Sequence, residues 1–260
     1  MSTSSGQQIG PTEVGVLDYP GRKIAMACTN EIEWAYRLNA IRKEPWTAEF
    51  VDAIPDDGVF YDIGACVGSY SLLAATRGVL TVAIEPSAPN YGQLVKNAMM
   101  NNCLERMLVL PFAVAHGRGL VWLDYHDVRP GAASHKIGEA EKVWNHRQRI
   151  LVLTLDDLIE AFGLPKPTHM KIDIDGGEES ALQGMEKTLR SPELVGLMVE
   201  MPIATQEQII AYLAERGFAI ADRFTDREGQ EIKGILYGRF ERSIVAADVA
   251  DERVLVGAAA

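Results

Sequence analysis

Two stretches of this 260-residue chain concentrate side chains that can do chemistry. The first is Asp62-Ile63-Gly64-Ala65-Cys66-Val67-Gly68, in which an apolar run ends in a glycine-rich turn and a helical pattern begins near Ser69. Gly64 and Gly68 let the backbone turn tightly and approach a ligand with no Cβ in the way. The helix start presents free N–H groups to an anionic group. Glu85 ends the next apolar run, seventeen residues after Gly68, where an acidic residue grips the two ribose hydroxyls of an adenosine. A dinucleotide site wants GxGxxG, but position 66 is Cys and the spacing is Gly64-x-x-x-Gly68. Asp62 also puts a carboxylate where a pyrophosphate is unwelcome and an ammonium group is welcome. The pattern favours S-adenosylmethionine, whose methionine end carries an amine and a carboxylate instead of phosphates.

The second stretch is His169-Met170-Lys171-Ile172-Asp173-Ile174-Asp175-Gly176-Gly177-Glu178. On a strand, His169, Lys171, Asp173 and Asp175 share one face, and Met170, Ile172 and Ile174 the other. A central parallel strand is normally apolar on both faces. Burying Lys and Asp costs several kcal/mol unless they pair or meet a ligand, so this run is expected at a sheet edge or opening into a site beyond its carboxyl end. Two readings stand: a Lys171–Asp173 pair that closes a crevice, or charges that act on a substrate.

The elements that position these stretches follow from periodicity. From residue 57, short apolar runs alternate with helical patterns, the mark of a parallel sheet covered by helices. Strands are expected at Val59–Ile63, Leu80–Ile84, Met107–Pro111, Ile150–Leu153, Met170–Ile174 and Val195–Val199. Phe218–Ala221 and Ile232–Tyr237 close the sheet. Helices are expected over Ser69–Thr76, after Ser87 as cap, over Thr154–Phe162 and Glu178–Leu189, and over Thr205–Glu215 with a Thr205/Gln208 capping box. The fold class is α/β and doubly wound, with ligands outside the carboxyl ends of the strands. Between His116 and Arg149 only Leu120–Leu123 reads as a strand, yet the stretch holds four of the five histidines. It is expected to lie over the carboxyl edge as a substrate lid. Residues 1–43 are read as an N-terminal extension with a partly disordered start, 44–240 as the catalytic domain and 241–260 as a tail.

Length and composition narrow the function classes. At roughly 150 residues per domain, the chain makes one domain with additions, or at most two small ones. Charged residues are 23% and hydrophobic residues 47%, ordinary globular usage. A net charge of −11 repels a phosphate backbone, so nucleic acid is a poor default partner. Cys28, Cys66 and Cys103 form no CxxC pair and suggest no zinc site, which fits a reduced cytoplasm. Neither an export signal nor a run of roughly 20 apolar residues is visible, so no membrane role is expected. Apolar stretches in the tail, Ile244–Ala247 and Val254–Val256, are compatible with a homo-oligomer.

The residues resemble the FkbM-type S-adenosylmethionine-dependent methyltransferases from about Glu44 to Glu200. Glu44-Pro45 is similar to that family's Glu-Pro dipeptide, and Asp62 to Ser71 to its DxGANxGxYS signature. Ala83-Ile84-Glu85-Pro86, Thr154-Leu155-Asp156-Asp157-Leu158 and Lys171 to Glu178 resemble its remaining blocks. Cys66 stands where the family has Asn, Asp175 where it has Glu, and Gly177 where it has Ala. The resemblance implies a class I methyltransferase fold, Rossmann-like, with a mostly parallel seven-stranded sheet whose last strand is antiparallel. It implies methyl transfer to a hydroxyl of a sugar or secondary metabolite, a small-molecule acceptor. Glu44, Gly64, Ala65, Gly68, Ser69, Ser71 and Glu85 would then surround the cofactor, with Asp62 beside them.

In that chemistry the enzyme aligns the acceptor oxygen and disposes of its proton. Asp173 is the first candidate to orient or deprotonate the hydroxyl, with Lys171 balancing charge and Asp175 as a second contact. His169 is a weaker alternative base or a satisfied histidine at the strand's start. No metal site is assigned. A divalent cation such as magnesium on Asp173, Asp175 and Glu200 is compatible with hard oxygen ligands but not favoured. Asp124, His126 and Asp127 read as ordinary polar residues of a hairpin rather than metal ligands. Trp122 and Trp144 either stack on a sugar or pack the loop. Two rival functions remain: a catalytically silent binding module on the same fold, and a nicotinamide oxidoreductase, which the missing middle glycine disfavours.

Overall fold

In the computed structural model, residues 12–138, 146–224 and 235–243 are described. Glu13–Val16 (β1) and Ala25–Cys28 (β2) pair as an antiparallel hairpin. A π-helical turn, Glu33–Arg37, and a short helix, Ala40–Lys43 (α1), lead into Pro45–Asp52 (α2). The next elements are Val59–Ile63 (β3), Ser69–Ala75 (α3), Leu80–Ile84 (β4), Ala88–Met100 (α4) and Met107–Leu110 (β5). After these come Ala113–Val114 (β6), Gly119–Tyr125 (β7), Lys136–Ile137 (β8), His146–Leu153 (β9) and Leu155–Phe162 (α5). His169–Ile172 (β10), Glu178–Gln183 (α6), Glu186–Arg190 (α7), Gly196–Pro202 (β11), Gln206–Ala214 (α8), Phe218–Phe224 (β12) and Ile235–Arg242 (β13) follow.

The main sheet has seven strands in the order β12-β13-β11-β10-β3-β4-β5. All are parallel except β13, which is antiparallel to both neighbours. The chain runs outward from β3 through β4 to β5, then returns to β10 and runs the other way. The strand order therefore reverses between β3 and β10, where an α/β sheet opens a crevice.

Alternation along the strands sends side chains to two cores. Phe60, Ala83 and Met198 pack on one face with Leu72 and Leu73 of α3, Leu94 and Ala98 of α4, and Phe50 and Val51 of α2. Leu17, Ile24, Met26 and Leu38 belong to the same cluster, so residues 13–43 share a core with the sheet. On the opposite face Tyr61, Ile63, Met170, Ile172 and Val199 pack against α5 to α8 through Leu158, Leu182, Leu189 and Leu213.

Helix α4 and its C-cap residue also carry a row of carboxamides at Asn90, Gln93, Asn97 and Asn101, spaced to share one side. Asn97 accepts from the Ala27 N–H at 2.8 Å and donates to the Val67 carbonyl at 2.9 Å. Gln93 donates to the Ala27 carbonyl at 2.6 Å, and Asn101 ties Ala25 at both its N–H and its carbonyl. The amides thus satisfy the outer edge of β2, which has no strand beside it on that side among the described residues.

Of the two places expected for the strand with alternating charges, it takes the second: it is central in the sheet and opens into the crevice beyond its carboxyl end. Three other expectations are corrected. The helix expected over Glu178–Leu189 breaks at Gly184 and Met185, where the Ala115 carbonyl comes so close that a Cβ on Gly184 would lie 2.0 Å from it. The Thr205/Gln208 capping box does not form; Thr205 Oγ1 donates instead to the Pro202 carbonyl at 3.4 Å. The stretch after His116 is not a loop with one strand but a second sheet, β6-β9-β7-β8, in which Gly119–Tyr125 pairs with His146–Val152. Trp144 and the tail from Ile244 lie outside the described residues.

Candidate active site

Strands β3 and β10 end side by side, with Lys171 in register with Asp62. Gly64 turns the chain at φ +86°, and a Cβ there would sit 1.9 Å from the Asp173 carbonyl, so only glycine lets the two strand ends approach this closely. Gly64 and Ala65 both donate to the Ile84 carbonyl, at 2.9 and 3.1 Å, which fixes the turn against β4. Cys66 adopts φ +51°, a left-handed conformation uncommon outside glycine. Gly68 at φ +96° caps α3.

Two cavities meet at this turn and share Arg37, Gly64, Cys66, Asp173 and Asp175. The larger, about 610 Å³, runs past Glu85, Phe112 and Val114 and beneath the small sheet, whose Val121, Leu123 and Val152 form its roof. The smaller, about 140 Å³, is lined by five carboxyl groups, Glu44, Asp62, Asp173, Asp175 and Glu200, against three cations, Arg37, Lys43 and Lys171.

In the larger cavity the buried Glu85 carboxylate accepts from the backbone N–H of Cys66 and of Ser87, each at 2.8 Å. Burial pushes its pKa up to about 7, against those two hydrogen bonds. The Cys66 contribution at this point is a backbone N–H, which any residue supplies; burial pushes its thiol up to about 11. His135 also lines this cavity, pushed down to about 4 by burial, and its Nδ1 has no hydrogen-bond partner among the described residues.

In the smaller cavity Asp62 is buried and accepts from Ser71 Oγ on Oδ2. Its Oδ1 is buried with no partner among the described residues. Burial raises the Asp62 pKa, while Lys171 and Ser71 oppose that rise. Lys171 Nζ donates to Asp173 at 2.6 Å and lies 5.3 Å from the centre of the Tyr70 ring. Burial works against the Asp173 charge, but the Lys171 ammonium and a hydrogen bond from Glu200 hold its pKa below the usual carboxylate range. Glu200 on the neighbouring strand moves the other way, well above that range, through burial and the Asp173 charge. Asp173 therefore carries the charge of this pair and Glu200 the proton. Glu44 is held by Lys43 at 2.9 Å and by the Tyr70 hydroxyl at 3.1 Å.

Of the residues singled out from sequence, Gly64, Asp173 and Asp175 line both cavities, Glu85 the larger, and Glu44, Asp62, Ala65, Ser69 and Lys171 the smaller. Gly68 and Ser71 line neither and act from behind, through the helix start and through Asp62. Asp175 leaves the strand face: at φ +58° it accepts from the Ser134 N–H at 2.7 Å, and its carbonyl accepts from Lys136, so it ties down the segment under the roof. His169 sits at the opposite end of β10, packed on Phe50 and bonded to Thr168, away from both cavities. Asp124 and Asp127 are bound to Arg147 and Arg129, and among the described residues no group of three His, Cys, Asp or Glu is arranged to hold a metal ion. Trp122, on the outer side of the roof, has the Arg147 and Arg149 guanidinium groups 4.9 and 4.5 Å from its ring centre. Arg37, Tyr237 and His135 were not singled out. Arg37 falls before the first periodic element and His135 in a stretch without period, so neither gave a signal.

A doubly wound sheet with one reversed strand, opening at its switch point onto a glycine turn and an acidic residue at the next strand end, defines a Rossmann-like methyltransferase. The chain belongs to the FkbM methyltransferase family: the methyltransferase FkbM domain matches residues 62–220. It is similar to the hexuronic acid methyltransferase AglP of Haloferax volcanii, 22% identical over 165 residues, covering 63% of this chain and 65% of that one. It is also similar to the methyltransferase sdnD of Sordaria araneosa, 24% identical over 213 residues, 69% of this chain and 82% of that one. Among solved structures, methyltransferase FkbM of Methylobacillus flagellatus superposes with a TM-score of 0.50 at 20% identity, over 70% of this chain and 44% of that one. The chain thus spans less than two thirds of the length of the first relative and under half of the solved one. The family implies S-adenosylmethionine as cofactor. No helix among the described residues is long and apolar enough to cross a membrane.

Proposed function

We propose that this methyltransferase transfers its methyl group to a hydroxyl oxygen of a small molecule, a sugar or a secondary metabolite. The observation that carries the reading is the pairing of Asp173 with Lys171 and Glu200 at the junction of the two cavities. The residues fit S-adenosylmethionine. Glu85 presents a carboxylate already fixed by two backbone N–H groups, with lone pairs left for a ribose diol. The unpartnered Asp62 Oδ1 suits an ammonium group, and the excess of carboxyl groups over cations in the smaller cavity suits a sulfonium. When bound, the cofactor supplies an electrophilic methyl group.

The chain's own task is to hold the acceptor hydroxyl in line while its proton is lost to solvent. Asp173 lies at the junction with its charge kept by Lys171, so it accepts a hydrogen bond from the hydroxyl and orients a lone pair. Because the Lys171 ammonium holds Asp173 below the usual carboxylate range, its role is to orient the hydroxyl, and the proton passes to solvent late in the transfer. The small sheet over the larger cavity serves as the substrate lid, latched through Asp175 to Ser134 and Lys136. The similarity to a hexuronic acid methyltransferase supports a uronic acid as the first acceptor class to assay.

The test is calorimetric titration with S-adenosylhomocysteine, with NADH as control, followed by a methyl-transfer assay on uronic acids. Asp173→Asn keeps a hydrogen bond to Lys171 and is expected to retain S-adenosylhomocysteine binding while turnover falls by about 10²-fold. Full turnover in that variant removes Asp173 from the chemistry, and binding of NADH in place of S-adenosylhomocysteine removes the reading altogether. Binding without turnover on any acceptor would favour the silent module.

A further inference from the structure

Three cations line the smaller cavity, and two are committed. Lys43 is bonded to Glu44 and Lys171 to Asp173. Arg37 is not: among the described residues no carboxylate lies within 4.0 Å of it, and the one hydrogen bond from its guanidinium runs from Nε to the Gly131 carbonyl at 2.7 Å. A guanidinium has five N–H donors in a fixed fork, so its two terminal amino groups remain for a ligand.

The side chain is held in place for that task. Gly131 packs on its stem, where an added Cβ would come 3.2 Å from Arg37 Cγ, and Gly131 is itself fixed by Asn90, which accepts from its N–H at 2.8 Å. The Arg37 carbonyl accepts from Ser69 Oγ at 3.0 Å, which ties the π-helical turn to the start of α3. Burial opposes the charge on Arg37, but Cys66, Asp173, Glu44 and Asp175 around it more than offset this, so it stays protonated. The guanidinium is therefore a preorganised, charged fork that lines both cavities.

The same small cavity holds a second unmet group of opposite sign, the buried Asp62 Oδ1. A free cationic fork and an orphaned carboxylate oxygen in one 140 Å³ space are complementary to a molecule end that carries a carboxylate and an ammonium on one carbon. We propose that Arg37 is the receptor for the carboxylate of the cofactor's methionine end, with Asp62 taking the ammonium. The assignment rests on the S-adenosylmethionine reading above and adds to it the residue that distinguishes an amino-acid end from a bare nucleoside.

The test compares two ligands that differ only in that carboxylate, S-adenosylhomocysteine and S-adenosyl-3-thiopropylamine, by calorimetry on the full chain and its Arg37→Gln and Arg37→Lys variants. The unaltered protein is expected to prefer S-adenosylhomocysteine by about 10- to 100-fold, the range of a charge-assisted bidentate contact. Arg37→Gln is expected to erase that preference while still binding S-adenosyl-3-thiopropylamine as the unaltered protein does, which also reports that the site is folded. Arg37→Lys, a point charge without the fork, is expected to keep a fraction of it. A preference that survives Arg37→Gln overturns the assignment and leaves the cofactor reading standing. Failure of the unaltered protein to bind either ligand overturns both. If Arg37→Gln binds both ligands normally and instead loses affinity for glucuronate in the presence of S-adenosylhomocysteine, the fork serves the acceptor and the proposal is wrong.

Discussion

Glu85 illustrates how a single buried carboxyl group couples ligand binding to pH. Two backbone N–H groups lower its pKa, yet burial outweighs them and sets it at about 7, well above the 4.5 of a free glutamate. A ribose diol donates to a carboxylate, so the ionised form binds. At pH 6, with a pKa near 7, about a tenth of the protein is ionised there, and affinity is expected to be about tenfold weaker than at pH 8. His135 at about 4 and Cys66 at about 11 line the same cavity but titrate outside this window. Asp175, which burial also raises, is separated by the Glu85→Gln variant, whose binding is expected to be weaker and flat over the same range. Calorimetric titration with S-adenosylhomocysteine from pH 6 to 8 checks this, and a flat profile in the unaltered protein would remove Glu85 from the ligand. At this scale, residues at strand ends were legible because a period of two and a glycine turn announce them. Arg37 was not, because it stands on a π-helical turn with no repeating pattern, and its importance lies in partners distant in the chain such as Gly131.

Elements are positioned here by a few contacts in which backbone meets backbone. The crevice depends on β3 and β10 ending close together, and Gly64 is where they touch. Gly78 offers an internal comparison: it too has a positive φ, +97°, but an added Cβ would meet nothing within 4 Å. Gly78→Ala is expected to cost about 1–2 kcal/mol of left-handed strain alone. Gly64→Ala adds a contact of 1.9 Å with the Asp173 carbonyl, so a backbone has to move. It is expected to cost more than about 3 kcal/mol and lower the melting temperature by roughly 6–12 °C. Thermal unfolding of both variants decides it, and equal melting temperatures would sink the close-approach account. The sheet and most of its helices were legible in the alternation of apolar runs. The second sheet was not, since β8 has two residues and β9 begins in the polar run His146-Arg147-Gln148-Arg149, so its pairing with β7 is set by the partner strand rather than by its own pattern. The break at Gly184 was hidden for a similar reason: a glycine in a helical pattern does not reveal which carbonyl approaches it.

The whole molecule depends on a segment that the family match does not include. The FkbM domain begins at residue 62, but the core on one face of the sheet is closed by Leu17, Ile24, Met26 and Leu38, none more than 6% exposed. At about 1.5–3 kcal/mol for each buried side chain of this size, the four contribute roughly 6–12 kcal/mol of apolar burial. That matches the whole net stability of a typical domain, about 5–15 kcal/mol. Their removal would also uncover Leu94 and Ala98 of α4 and leave the buried amides of Gln93 and Asn97 without the Ala27 backbone they bond. An unpartnered buried amide costs about 1–3 kcal/mol, so these losses add to the first. A chain beginning at residue 40 keeps every strand of the main sheet and every block of the family signature, yet it is expected not to melt cooperatively and to elute as aggregate. Circular dichroism melting and size-exclusion chromatography of the two lengths compare them directly. A truncated chain that melts cooperatively within a few degrees of the full one would mean that the sheet and its other helices hold themselves together. Residues 13–39 would then serve the site, through Arg37, and not the fold.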